Sequence, residues 1–123
     1  MRLLLDTHVL LWSVLESPAL PDRFREALED PEAEVFVSAV SVWEVSIKRA
    51  LGKLPVPQNV FERALAAGCN ALPVTWVHAR AVEALPFHHH DPFDRLLIAQ
   101  ARVEGLVLVS ADRVFSHYDV SRL

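Results

Sequence analysis

The spacing of apolar and polar residues predicts strands and helices that alternate along the chain. Short, nearly continuous apolar runs are typical of strands that are covered on both faces. They predict strands at Arg2–Leu5, Glu34–Val37, Ala71–Val74 and Leu106–Ser110, with a short last strand at Tyr118–Val120. The segments between these runs carry apolar residues three or four apart and end near Gly or Pro, as helices do. They predict helices at Thr7 to about Glu16, Asp22–Glu29, Ser38 or Ser41 to Leu51, Gln58–Ala67, Thr75–Leu85 and Pro92 to about Glu104.

Single residues support several of these boundaries. Thr7 is predicted to cap the first helix, and Asp91 followed by Pro92 is a strong start signal for the last one. The three tryptophans are expected to pack in the core or at a subunit interface. They are Trp12, Trp43 and Trp76.

The alternation of strands and helices predicts a single α/β domain over residues 1–123. It should have three layers, with a central and mainly parallel sheet of four to five strands. In such sheets, ligands bind beyond the carboxyl ends of the strands. Asp6 follows the first apolar run and Asp112 follows the fourth, so both are predicted at this edge. Glu44 and Asp94 are predicted in the first turns of two helices whose N-termini point to the same edge.

A pocket that gathers four carboxylates is costly, because like charges repel and burial penalises each charge. Folds that gather several acids at strand ends usually do so to hold a hard cation such as Mg²⁺ or Mn²⁺. The four acids therefore indicate metal-dependent phosphoryl transfer. Their mutual repulsion should raise the pKa of at least one of them in the metal-free protein.

Each acid also has a structural explanation. Glu44 could complete a capping box at the start of its helix, or pair with Lys48 four residues on. Asp94 could be a favourable charge in the first turn of its helix, and Asp112 a turn or cap residue. Asp6 is the hardest to explain in this way, because the threonine that follows it is available as the cap.

Composition narrows the classes of function. The chain has only 3 Gly and neither of the common glycine-rich phosphate loops. Cys69 is alone, so no internal disulfide can form, which fits a reducing cytoplasm. With 12 Lys and Arg against 16 Asp and Glu, the net charge of −4 argues against a general nucleic-acid-binding surface. No apolar run approaches the roughly 20 residues that a membrane span needs.

Four strings of residues occur in order across nearly the whole chain. They are Leu3-Leu4-Leu5-Asp6-Thr7-His8-Val9-Leu10-Leu11-Trp12, Ser38-Ala39-Val40-Ser41-Val42-Trp43-Glu44, His90-Asp91-Pro92-Phe93-Asp94-Arg95-Leu96-Leu97-Ile98-Ala99-Gln100-Ala101 and Leu108-Val109-Ser110-Ala111-Asp112. Together they resemble the motifs of PIN-domain ribonucleases, and most nearly those of the VapC toxins of bacterial toxin–antitoxin pairs.

The resemblance implies a PIN fold, an RNA substrate and Mg²⁺ or Mn²⁺ as cofactor. The metal-binding and catalytic acids would be Asp6, Glu44, Asp94 and Asp112. Asp6 and Asp94 would be the principal ligands. Glu44 would bind through water or orient the nucleophile, and Asp112 would hold a second metal or its water. The resemblance also implies a homodimer and a cognate antitoxin protein, which would supply any DNA binding.

Other residues are weaker candidates. Thr7, Arg95 and Ser110 are candidates for contact with the substrate, although Arg95 could equally have a structural role. The consecutive histidines His88, His89 and His90 are more than the resemblance explains, and solvent exposure or substrate contact is favoured over a Zn²⁺ site.

Two other functions stay open. One is a catalytically inactive PIN-like interaction module, against which the four intact acids argue. The other is a Mg²⁺-binding phospho-acceptor domain, which would need a second acid beside Asp6 and a lysine after a late strand. The chain has no such acid, and no lysine follows Lys53.

Overall fold

Four parallel strands form the central sheet of the computed structural model, which describes residues 1–123. The strands are β1 (Arg2–Leu5), β2 (Glu34–Ser38), β3 (Asn70–Leu72) and β4 (Val107–Val109), in the spatial order β3-β2-β1-β4. The chain first builds the sheet from β1 toward β3 and then returns to the other side of β1. The strand order therefore reverses between β1 and β4, which is where sheets of this kind bind ligands.

Six α-helices cover the sheet. They are α1 (Thr7–Val14), α2 (Asp22–Glu29), α3 (Ala39–Ala50), α4 (Val60–Ala66), α5 (Trp76–Ala81) and α6 (Pro92–Glu104), with short 3-10 helices at Val82–Ala84 and Arg113–His117. None of the helices combines the length and the apolar composition that crossing a membrane requires.

The core divides into two main clusters because successive side chains of a strand point to opposite faces. Leu4 of β1 packs with Leu97, Ile98 and other side chains of α6 on one face. Leu3 and Leu5 belong to a second cluster, which includes buried residues of α1 and α2. The predicted three-layer arrangement around a parallel sheet is confirmed.

Two strand predictions differ from the structure. The third strand ends at Leu72 rather than Val74, because Pro73 has no N–H to continue the ladder. The prediction of a strand at Tyr118–Val120 is wrong. Tyr118 is buried against the core after a 3-10 helix, and the C-terminal segment makes only an isolated bridge between Arg122 and Leu108.

The caps and lengths of three helices also differ from the predictions. Asp6, not Thr7, caps α1. Ser38 caps α3, so Glu44 lies in the second turn of that helix and not in the first as predicted. The capping box with Ser41, one structural alternative for Glu44, does not form. The segment after Thr75 is α-helical only as far as Ala81 and then tightens to a 3-10 turn. The last helix begins as predicted, with Asp91 as its cap and proline at its first position.

The tryptophans are less buried than a core position implies. Trp43 is 51% exposed and Trp76 is 87% exposed, so neither is a core residue. Trp12 is half-buried against the cluster that contains Leu3.

Candidate functional site

Asp6 lies at the switch point of the sheet, directly after β1. It is 5% exposed, and its backbone N–H donates to the carbonyl of Val109 at the end of β4 over 3.1 Å. One carboxylate oxygen accepts the N–H of Val9 at 2.8 Å, which caps α1, and the other accepts the hydroxyl of Ser110. Burial raises the pKa of Asp6, and these two hydrogen bonds oppose the rise.

Ser110 connects Asp6 to Asp112. Its hydroxyl oxygen accepts the backbone N–H of Asp112 at 3.0 Å while its proton goes to Asp6. The exposed Asp112 carboxylate caps the following 3-10 helix through the N–H of Val114, at 3.0 Å, and its charge contributes to the raised pKa of Asp6. Asp6 and Asp112 also line one open cavity of about 270 Å³. They form the first of two acidic pairs in the site.

Glu44 is 6% exposed, and both of its oxygens are occupied. One accepts the hydroxyl of Thr7 at 2.7 Å, and the other lies 2.6 Å from the ammonium of Lys48. Thr7 also contacts the hydroxyl of Ser41 at 2.9 Å. Glu44 thus makes the pair with Lys48 that was one of its structural alternatives, although its carboxylate is buried and not on the surface. Thr7 thus contacts Glu44 while its neighbour Asp6 caps α1.

Asp94 lies in the first turn of α6, as predicted. One of its oxygens is 3.3 Å from Nε2 of His89, and the other has no hydrogen-bond partner. Burial and the negative charge of Asp91 raise the pKa of Asp94 to about 6 against the partial opposition of His89, and the charge of Glu44 adds to the rise. Because the charge of Glu44 acts on Asp94, we call these two predicted acids the second acidic pair. Burial, rather than the predicted repulsion, is the larger cause of the raised pKa in both Asp6 and Asp94.

Arg95 lies inside the protein, at 4% exposure. Its guanidinium donates to the carbonyls of Pro86 at 2.7 Å, Leu85 at 3.2 Å and Val82 at 3.4 Å. These bonds hold the loop before α6, and the placement favours the structural role considered for Arg95 over contact with a phosphate.

The carboxylate oxygens of the site are suitable ligands for a hard cation. All four predicted acids offer carboxylate oxygens, and Asp94 and Asp112 each keep one oxygen free of hydrogen bonds. The acids lie as two pairs, however, and no three Asp, Glu, His or Cys side chains converge into a complete metal cage. Mg²⁺ tolerates this arrangement because it usually keeps several waters and takes only one or two carboxylates.

The sequence reading missed two residues that face the site. His8 and Trp12, four apart on α1, line the cavity beside Asp6 and Asp112, with their ring centroids 6.0 Å apart. Residues four apart in a helix lie on the same face, and α1 begins directly after Asp6. The sequence therefore contained the information needed to place His8 and Trp12 beside this acid.

Ser110→Ala is expected to destabilise the protein by about 1–2 kcal/mol at neutral pH, because a buried carboxylate oxygen of Asp6 loses its donor. Urea unfolding measures the effect, and Ser116→Ala, at an exposed hydroxyl, is the control. Equal losses in the two variants would mean that the hydroxyl of Ser110 contributes nothing to holding Asp6.

The fold and the site define a class: an α/β protein with buried carboxylates at the switch point of a parallel sheet, suited to hard cations. The chain belongs to the PIN domain family, which it matches over residues 3–121. No curated protein is similar enough in sequence to be matched to it.

Several solved structures share the fold at low sequence identity. One is VapBC2 from Rickettsia felis, bound to a DNA fragment from its promoter, with a TM-score of 0.75 and 13% sequence identity. The alignment covers 100% of this chain and 98% of the VapBC2 chain. FitAcB from Neisseria gonorrhoeae has a TM-score of 0.67 at 23% identity, covering 98% and 96%. DNA-bound VapBC from Salmonella typhimurium has a TM-score of 0.66 at 18% identity, covering 99% and 96%.

Proposed function

We propose that this chain is a divalent-metal-dependent ribonuclease toxin of the VapC type, which hydrolyses RNA with Mg²⁺ or Mn²⁺. The observation that carries the proposal is that Asp6 and Asp112 line one cavity at the switch point, while Asp94 begins α6 with one carboxylate oxygen free of hydrogen bonds. The buried Glu44 is close enough for its charge to act on Asp94. Membership of the PIN domain family and the shared fold with VapBC structures support it.

Within this proposal, each acid is assigned a role. Asp94, with one free oxygen, and Asp6, buried at the strand end, would hold the cation. A bound Mg²⁺ or Mn²⁺ supplies an activated water and stabilises the negative charge that develops on the phosphate. Glu44, fixed by Thr7 and Lys48, would orient the attacking water. Asp112 would hold a second cation or its water through its free oxygen.

The test is RNA cleavage by the purified chain with and without divalent cation. We expect cleavage with Mg²⁺ or Mn²⁺, loss of cleavage in excess EDTA and recovery when the cation is restored. Full activity in EDTA would rule out the metal mechanism. No cleavage of any RNA under these conditions would instead favour the inactive interaction module.

The same proposal includes regulation by a cognate antitoxin and assembly as a cytoplasmic homodimer. The structural neighbours include a toxin–antitoxin complex from Klebsiella pneumoniae, at 20% identity and a TM-score of 0.63. The exposed Trp43 and Trp76 are available for protein contacts. Any DNA binding would come from the antitoxin, because this chain has a net charge of −4.

We expect the antitoxin to inhibit by placing an Arg or Lys side chain in the acidic site, where it replaces the charge of the cation. Replacing that basic residue by Ala should restore most of the RNA cleavage in the complex. Copurification with the product of a neighbouring open reading frame identifies the partner. A partner that binds away from the acids and leaves cleavage unchanged would contradict the expectation.

A further inference from the structure

The histidine loop before α6 contains one histidine that touches the site. Nε2 of His89 lies 3.3 Å from a carboxylate oxygen of Asp94, and its Nδ1 lies 2.7 Å from the hydroxyl of Tyr118. Its two neighbours point elsewhere. The ring of His88 packs against Tyr118, and that of His90 stacks on Phe87. The three consecutive histidines therefore have different surroundings, and only the middle one reaches an acid.

The protons in this chain of contacts can be assigned. The oxygen of Tyr118 faces two other donors, the guanidinium of Arg95 and the backbone N–H of His89, each at 3.3 Å. An oxygen that accepts from both must send its single proton to the remaining partner, which is Nδ1 of His89. His89 is then the tautomer that carries its proton on Nε2, and that proton points to Asp94. Arg95 and Tyr118 thus select the tautomer of His89.

We propose that His89 is a positioning residue for Asp94: held by Tyr118, it donates its Nε2 proton to one carboxylate oxygen and leaves the other free to face a cation. The inference rests on the proposed metal-dependent function. Hydrogen bonds of this kind fix the orientation of ligating side chains in metal sites, and their removal typically weakens metal affinity or activity by about 10- to 100-fold.

A matched pair of variants tests the proposal. The amide of Gln reaches the position of the imidazole Nε2, whereas the shorter amide of Asn reaches only that of Nδ1. His89→Gln can therefore still donate a hydrogen bond to Asp94. His89→Asn can form a hydrogen bond with Tyr118 but not with Asp94. His90→Ala is the control in the same loop, because that ring contacts Phe87 and no acid.

The measurements are the dissociation constant for Mn²⁺, from the electron paramagnetic resonance signal of free Mn²⁺, and the kinetic constants of RNA cleavage. We expect His89→Asn to weaken Mn²⁺ binding by about 10-fold or more and to lower kcat with little change in the KM for RNA. His89→Gln should recover most of both losses, and His90→Ala should match the wild type. Tyr118→Phe, which keeps the ring but frees the imidazole, should show a smaller loss in the same direction.

The outcomes separate this inference from the proposed function. If His89→Asn and His89→Gln bind Mn²⁺ equally, whether both match the wild type or both are weakened, His89 does not position Asp94. The same holds if His89→Asn weakens Mn²⁺ binding further in a protein that already carries Asp94→Asn. If the wild type binds Mn²⁺ with the expected ranking of variants but cleaves no RNA, the inference stands and the proposed activity falls.

Discussion

Asp6→Asn and Asp94→Asn are each expected to lower the rate of cation-dependent RNA cleavage by about 10²-fold or more. Each substitution keeps the shape of the side chain and removes one charge from the set that would hold the cation. Asn remains a good helix cap, so Asp6→Asn should still cap α1 through the N–H of Val9. The loss should therefore appear in kcat at saturating Mg²⁺ and not in the folded fraction of the protein.

The control is Asp30→Asn, which removes an exposed carboxylate at the end of α2, away from the strand edge that carries the site. It should cleave RNA like the wild type. Single-turnover assays with Mg²⁺ and with Mn²⁺ give the rates, and circular dichroism gives the folded fraction. If Asp6→Asn or Asp94→Asn retained wild-type activity, that residue would have no part in holding the cation.

Asp94→Asn is also expected to make the metal-free protein more stable at pH 7, by roughly 1 kcal/mol after allowance for solvent screening. The folded protein holds the proton of Asp94 with a pKa of about 6, above the ordinary value of 3.8. Protonation therefore favours the folded state. This stabilisation is complete below about pH 4 and is lost as the pH rises through 6. At pH 7 the carboxylate is ionised and destabilises the folded state, and Asn removes that charge.

The measurement is urea unfolding in EDTA at pH 7 and at pH 4. The difference between Asp94→Asn and the wild type should be clear at pH 7 and close to zero at pH 4, where the folded wild type is protonated. Mg²⁺ should raise the melting temperature of the wild type by mass action and that of the variant by less. A variant that is less stable than the wild type at both pH values, with an equal response to Mg²⁺, would make Asp94 a structural residue.

The order of elements could be predicted from local signals, because caps, glycines and prolines act on their own neighbourhood. Asp91-Pro92 marked the start of α6 correctly, and the apolar run after Met1 marked β1. The prediction for Tyr118–Val120 failed because apolar residues two positions apart indicate that side chains can be buried, not that the backbone pairs with a neighbouring strand. Tyr118 is buried in the core, but through its side chain and not as part of a strand.

The contacts of the site depend on partners that are distant in sequence. Ser110 bonds to Asp6 across 104 positions, and Thr7 bonds to Glu44 across 37. No local pattern assigns such pairs, so the sequence predicts Thr7 as a cap and leaves a capping box with Ser41 as one structural alternative for Glu44. Likewise, three adjacent histidines look alike in the sequence, and only in the folded chain is His89 distinguished by its contacts with Asp94 and the hydroxyl of Tyr118.

The sequence by itself determined that this chain is an α/β protein of alternating strands and helices, and which four acids to examine. Apolar periodicity and the residues that begin or end helices depend only on neighbours in the sequence, so the sequence alone predicts the order of the elements. Only the tertiary structure decided that the acids lie as two pairs, that burial more than repulsion raises the pKa of Asp6 and Asp94, and that His89 faces Asp94. Desolvation and hydrogen bonding depend on which distant segments pack together, and that is settled only when the sheet and its helices have assembled.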